Sequence, residues 1–84
     1  GLNITLLDYC IRTLSTGKKL PPEFRVHNLS GRWSGYHECH IQPDWLLIYR
    51  IDVNNSILVL VRTGSHRDLF WPCRYLVHKV PYYL

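Results

Sequence analysis

Hydrophobic residues first recur at helical spacing and later become nearly continuous. In the first part of the chain they are separated by three or four positions, at Ile4, Leu7, Ile11 and Leu14. This spacing predicts an amphipathic helix over residues 3–16. Asn3 is a favourable N-cap, and Gly17 can adopt the left-handed conformation that ends a helix.

Three apolar segments with high β-propensity follow and predict strands. They cover residues 33–41, 45–53 and 56–64. The breaks between them, at 42–44 and 54–55, are too short for a crossover, so neighbouring strands must be antiparallel. The second and third strands are apolar at nearly every position, which indicates that both faces of the sheet are covered. One helix covers one face, and the chain offers little to cover the other.

Two segments lie outside this helix-and-meander pattern. Residues 20–31 contain two adjacent prolines, which exclude a continued helix and predict an ordered connection over the surface. The tail, residues 71–84, is aromatic and apolar, and its alternation predicts a short edge strand around residues 75–80. The expected fold is α+β: a single domain over residues 1–84, with a helix packed on an antiparallel β-meander of three to four strands.

Composition indicates a small basic globular domain. The chain has 84 residues, of which 46% are hydrophobic and 19% charged, and a formal net charge of +4. This balance favours a polyanionic partner, either nucleic acid or an acidic protein. No apolar run approaches the roughly 20 residues of a membrane span. Cys10, Cys39 and Cys73 form no C-x-x-C pair, which favours reduced thiols in a cytosolic setting.

The meander brings titratable residues from separate parts of the sequence to one end of the sheet. His40 and Asp44 flank the first turn, and the third strand returns to that end with Arg62 and then His66. Histidine exchanges protons near neutral pH, and arginine binds phosphate oxygens without losing its charge. Such a set suits metal-independent RNA cleavage, with a base, an acid and a cation. The structural alternatives are a surface His40, a turn-capping Asp44 and a loop position for His66.

The segment "HECH", residues 37–40, raises a metal site as an alternative. In an extended strand His37 and Cys39 point to one face, and Glu38 and His40 point to the other. A structural zinc site takes four donors, commonly at C-x-x-C or H-x-x-x-H spacing. Because neither face offers more than two donors, the sequence predicts no metal site, and His37, Glu38 and Cys39 are expected to be scaffold or surface.

Longer motifs resemble a known toxin family. "LPPEFRVHNLSGRWSGYHECHIQPDWLLIYRI" and "LVRTGSHRDLF" contain G-x-W-x-G-Y, H-x-x-P-D-W-x-L-I-Y and R-T-G-x-H-x-x-L-F in order. They resemble the YafQ-type toxins of the RelE/ParE superfamily, over about residues 3–70. Relative to that family pattern the chain lacks the first strand and first helix, and residues 71–84 have no family role.

The resemblance implies a bacterial, cytoplasmic toxin that cleaves mRNA in the ribosomal decoding site and is silenced by a cognate antitoxin. It implies no cofactor. The family's functional positions fall on His27, His40, Asp44, Arg62, His66 and Phe70. In this set His66 would be the general acid and Arg62 the phosphate clamp. His27 and His40, with Asp44, would provide the base and orient the attacking hydroxyl, and which histidine is the base stays open.

The remaining implied contacts concern RNA binding. Phe70 would stack on a nucleobase or hold the loop that carries His66, and ordinary core packing is the alternative. The expected RNA-backbone contacts are basic residues, for each of which a solvated surface position is the alternative: Lys18, Lys19, Arg25, Arg32 and Arg67. The missing family elements motivate a second hypothesis, a degenerate toxin fragment that binds an antitoxin-like partner without cleaving RNA. A DNA gyrase poison of the ParE type is disfavoured, because those members lack the histidine set.

Overall fold

The computed structural model describes residues 3–64 and 78–83. This part of the chain contains one α-helix and five β-strands: α1 (Ile4–Ser15), β1 (His27–Asn28), β2 (His37–Gln42), β3 (Trp45–Asp52), β4 (Ile57–Gly64) and β5 (His78–Pro81). The strands form one antiparallel sheet in the order β1-β2-β3-β4-β5. The predicted α+β fold is confirmed, with five strands in place of three to four. Among the described residues, no helix has the length and apolar character to cross a membrane.

Helix α1 begins and ends where its sequence predicts. Asn3 Oδ1 accepts hydrogen bonds from the backbone N–H groups of Thr5 and Leu6, at 3.0 and 3.3 Å. This side chain satisfies donors that have no partner inside the helix. At the other end Gly17 has a φ of 74° and donates its N–H to the carbonyl of Leu14 at 3.1 Å. Local capping therefore sets both ends of the helix.

The sheet separates two apolar clusters, one on each face. Strands β3 and β4 contribute Leu47, Tyr49, Leu58 and Leu60 to the cluster that includes α1. They contribute Leu46, Ile48, Val59 and Val61 to the other cluster. Both faces of these two central strands are buried, as their nearly continuous apolar sequence predicts.

The face opposite α1 is covered by residues 29–36, here called the covering segment. Leu29, Trp33 and Tyr36 pack against the apolar cluster on that face. The segment folds back on itself, since the N–H of Leu29 donates to the carbonyl of Tyr36 at 2.9 Å. The expectation that little covers this face was wrong, because the strand predicted from residue 33 begins only at His37.

A β-bulge in the pairing of β3 with β4 directs the side chains near the end of β4. Leu60 pairs with Tyr49 and Arg62 pairs with Ile48, so Val61 is an extra residue. A bulge changes which face the following side chains point to. As a result Val61 and Arg62 both lie on the face of the covering segment, where Val61 joins its cluster and Arg62 contacts Trp33.

The two edge strands complete the sheet. β1 lies in the segment expected to be a plain connection, and its His27 pairs with Glu38 of β2. β5 pairs with β4, with Val80 opposite Leu58. An edge strand was predicted around residues 75–80, and β5 agrees with this prediction from residue 78 onward. Residues 75–77 lie outside the described part of the chain.

We predict that truncating the centre of the sheet destabilises the protein. Leu47 is 1% exposed, so Leu47→Ala removes buried methyl groups and leaves a cavity, at a cost of about 2–5 kcal/mol in the free energy of unfolding. Urea denaturation measures this cost. Val53→Ala, in the exposed turn after β3, is the matched control and should stay within about 0.5 kcal/mol of the wild type. Equal losses in the two variants would contradict this description of the core.

Candidate active site

Four polar side chains lie on the sheet face opposite α1. His27 comes from β1, Glu38 and His40 from β2, and Arg62 from β4. Glu38 lies opposite Ile48, and Ile48 lies opposite Arg62, so these three residues form one row across the sheet. His40 is two positions after Glu38 and therefore points to the same face.

The pair His27–Glu38 joins the first two strands. His27 Nε2 is 3.2 Å from Glu38 Oε1, and the two side chains are 51% and 5% exposed. The other ring nitrogen, Nδ1, is 3.1 Å from the backbone carbonyl oxygen of Arg25. Both nitrogens thus face oxygen acceptors when Glu38 is ionised, and the imidazolium form donates to both. A carboxylate this deeply buried needs such a partner.

His40 completes a cluster of three groups that exchange protons or bind cations. Its ring centroid is 6.3 Å from that of His27. One ligand atom from each of His27, Glu38 and His40 lies within 4.8 Å of the other two. We call these three residues the acid–base cluster. Glu38 is a member that the sequence interpretation missed, because it was expected to be scaffold or surface.

Arg62 provides a buried positive charge on the same sheet face as this cluster, with β3 between it and Glu38. It is 2% exposed. Its guanidinium carbon Cζ lies 4.5 Å from the ring centroid of Trp33, within the range of a cation–π interaction. Because arginine stays protonated at every physiological pH, this face of the sheet carries a permanent positive charge.

Of the other predicted catalytic residues, only Asp44 lies in the described part of the chain. Asp44 lies in the exposed turn between β2 and β3. Within residues 3–64 and 78–83, no hydrogen bond or ion pair joins its carboxylate to His40. His66 and Phe70 lie outside the described residues, so their expected roles stay predictions.

The predicted RNA-contact residues do not form one surface in the described part of the chain. Lys18 and Lys19 line a cleft of about 360 Å³ next to α1, with His37 and Tyr49, on the side of the sheet away from the acid–base cluster. The carbonyl of Arg25 accepts the hydrogen bond from His27. Arg32 is exposed in the covering segment. The last of these residues, Arg67, lies outside the described residues.

The metal-binding potential of "HECH" differs from the expectation. His37 and Cys39 do point away from Glu38 and His40. Cys39 Sγ lies 3.9 Å from Cys10 Sγ, and this contact together with burial raises the pKa of the Cys39 thiol. However, the count of two donors per face left out the neighbouring strand, which adds His27 to Glu38 and His40. Three nitrogen and oxygen donors are the number that catalytic zinc sites use.

This fold is that of a bacterial toxin from a type II toxin–antitoxin system. Residues 1–71 match the family model described as "Bacterial toxin of type II toxin-antitoxin system, YafQ". The chain therefore belongs to the YafQ toxin family, as its motifs predict.

Individual relatives agree with this assignment. The chain is 43% identical over 51 residues to the mRNA interferase toxin YafQ of Escherichia coli, a match that covers 61% of this chain and 53% of the relative. It thus spans about half the length of the curated relatives it matches. A copper-bound mutant toxin from Helicobacter pylori has a TM-score of 0.77 at 40% identity, covering 83% of this chain and 77% of that one. The Escherichia coli DinJ-YafQ complex contains a chain with a TM-score of 0.71 at 34% identity, covering 82% and 76%.

We predict that His27 and Glu38 stabilise the fold as a coupled pair. His27→Ala leaves the buried Glu38 carboxylate without its ring partner, and at pH 6 it should cost about 1–2 kcal/mol of unfolding free energy. The same substitution should cost less in the Glu38→Gln background, where no charge needs compensation. Denaturation of the four proteins measures the coupling free energy. Strictly additive costs would show that the interaction between His27 and Glu38 contributes nothing to stability. His78→Ala, on the exposed edge strand, serves as the control.

Proposed function

We propose that this chain is an mRNA endoribonuclease that cleaves RNA by metal-independent acid–base chemistry. The observation that carries the proposal is the acid–base cluster, which shares one sheet face with the buried Arg62. Cleavage by 2′-hydroxyl attack needs a base, an acid for the leaving 5′-oxygen and a cation for the phosphorane charge. The name of the Escherichia coli relative, an mRNA interferase toxin, supports the same activity.

The geometry favours distinct roles for the two histidines. Both ring nitrogens of His27 face oxygen atoms of the protein, Oε1 of Glu38 and the carbonyl oxygen of Arg25, so His27 is poorly placed to take a proton from RNA. His40 is therefore the proposed base, which takes the proton of the 2′-hydroxyl as its oxygen attacks phosphorus. Arg62 stabilises the charge that develops on the phosphate oxygens. The bond to the 5′-oxygen then breaks, which leaves a cyclic phosphate on one fragment and a free hydroxyl on the other.

The remaining roles follow the family motifs. His66 is the proposed general acid that protonates the leaving 5′-oxygen. Asp44 would orient the attacking group once RNA is bound, and Phe70 would stack on a nucleobase. Arg25, Arg32 and Arg67 would hold the RNA backbone near the site, and Lys18 and Lys19 would contact it on the other side of the sheet.

The proposed biological setting is a bacterial cytoplasm in which the chain acts on ribosome-bound mRNA. A cognate antitoxin is the proposed partner. The similarity to the toxin chain of the Escherichia coli DinJ-YafQ complex supports this partner, and the net charge of +4 suits an acidic protein as well as RNA.

A second candidate function is antitoxin binding without RNA cleavage. The observation that favours it is the similarity to the Escherichia coli DinJ-YafQ complex, which concerns binding and not cleavage. Both candidates predict antitoxin binding, and only the first predicts cleavage on translating ribosomes.

We predict that Arg62→Ala and His40→Ala each lower mRNA cleavage at least a hundredfold, because each removes a group that acts in the transition state. His66→Ala should have a similar effect. The measurements are cleavage on translating ribosomes and growth arrest after induction, with relief by co-expressed antitoxin. Arg12→Ala is the control, since Arg12 is exposed on α1 and forms an ion pair with Asp8, at 3.0 Å. Cleavage that survives all three site substitutions would contradict this mechanism. A wild type that binds antitoxin without cleaving mRNA would select the second candidate.

The acid–base cluster also fits a transition-metal ion, as a site that competes with catalysis. Its donors are two imidazoles and a carboxylate, which suit zinc or copper. A similar toxin from Helicobacter pylori is copper-bound. Since metal coordination uses the nitrogen lone pairs that accept protons, a bound ion would inhibit cleavage.

We predict that Zn²⁺ binds at one site, that Glu38→Gln weakens this binding at least tenfold, and that His37→Ala does not change it. Isothermal titration calorimetry measures the affinities. Cleavage should fall in stoichiometric Zn²⁺ and return with a chelator. Loss of cleavage in the chelator would overturn metal independence, and equal affinity in Glu38→Gln and the wild type would overturn the assigned donors.

A further inference from the structure

Trp33 lies between the covering segment and the buried arginine of the candidate site. Its ring centroid is 4.5 Å from Cζ of Arg62. The indole also packs against the apolar cluster that includes Leu46 and Ile48. One side chain therefore contacts both the hydrophobic core of this face and the charge that the proposed chemistry uses.

The position of the indole is set by groups other than Arg62. The ring of Tyr36 meets it edge-on, with centroids 5.3 Å apart and an interplanar angle of 85°. The backbone is fixed as well, because the N–H of Trp33 donates to the carbonyl of Ser30 at 3.2 Å and the N–H of Tyr36 donates to the carbonyl of Trp33 at 3.0 Å. Trp33 is thus a preformed surface on which the guanidinium rests.

Arginine needs such a surface because its side chain is long. It can adopt many rotamers, whereas a transition-state contact requires one orientation. A cation–π contact attracts the guanidinium through its face, whereas its five N–H donors lie around its edge. The ring therefore restrains the guanidinium without itself occupying an N–H donor.

We propose that Trp33 is a positioning residue that holds the Arg62 guanidinium in the orientation that binds the reacting phosphate. This inference rests on the proposed function, in which Arg62 stabilises the phosphorane. Because the contact would act mainly on the transition state, its loss should lower kcat and leave KM nearly unchanged.

Kinetics of the wild type and five variants test the catalytic consequence. Trp33→Leu should lower kcat about tenfold and Trp33→Phe two- to threefold, since phenylalanine keeps an aromatic face of lower affinity for cations. In an Arg62→Gln background, Trp33→Leu should have no further effect on residual cleavage. Independent, multiplicative losses would overturn the positioning role, as would a Trp33→Leu variant with wild-type kcat. Leu29→Ala, on the same apolar cluster, controls for loss of packing and should leave kcat within about twofold.

A spectroscopic measurement tests the contact apart from activity. In the wild type the Nε–H resonance of Arg62 should be shifted upfield by the indole ring current. The shift should persist in Leu29→Ala and vanish in Trp33→Leu, while thermal unfolding shows that each variant is folded. An unshifted wild-type resonance overturns the inference. A wild type that does not cleave overturns the proposed function instead, and the Arg62 resonance then decides the positioning claim alone.

Discussion

The burial of Glu38 is the constraint on which the candidate site depends. A carboxylate with only 5% exposure loses most of its hydration and must be compensated by a hydrogen-bonding, preferably cationic partner. His27 supplies that partner from β1, a strand of two residues whose His27 is paired directly opposite Glu38. The same contact directs Nδ1 of His27 toward the carbonyl of Arg25. One electrostatic requirement thus accounts for the placement of a histidine by a very short strand.

Burial of the second sheet face accounts for the other charged residue. Strands β3 and β4 are apolar on both faces, so a protein with one helix still needs a cover on the opposite side. Trp33 and Tyr36 provide it from the covering segment. The cover is aromatic, and this permits a buried Arg62 beside it, because an indole face attracts a cation where an aliphatic cover would not. Core packing and the electrostatics of the site therefore depend on the same segment.

The sequence predicted the elements whose signals are local and missed those that depend on distant pairing. Helix α1 and strand β3 follow from hydrophobic spacing, capping residues and turn residues, which lie within each segment. The strand at His27–Asn28 has no such signal and exists through its partner β2. The alternation in "HECH" could not reveal the role of Glu38 either, because its partner His27 is 11 positions away in the sequence. The G-x-W-x-G-Y motif did mark Trp33, but family resemblance alone did not say what the tryptophan contacts.

The two faces of the sheet carry different kinds of polar group: the face opposite α1 carries the proposed catalytic residues, and the α1 face does not. On the α1 side, the polar groups of β2 favour their neutral forms, because burial lowers the pKa of His37 and the contact with Cys10, together with burial, raises the pKa of Cys39. On the other side, the same strand presents Glu38 and His40 on the face that also carries Arg62. Because strand residues alternate between faces, β2 can place neutral groups against α1 and the proposed catalytic groups on the opposite face. The same alternation makes the site sensitive to the register of β2. A shift of one residue would place Cys39 on the face that carries Arg62 and would turn Glu38 and His40 toward α1.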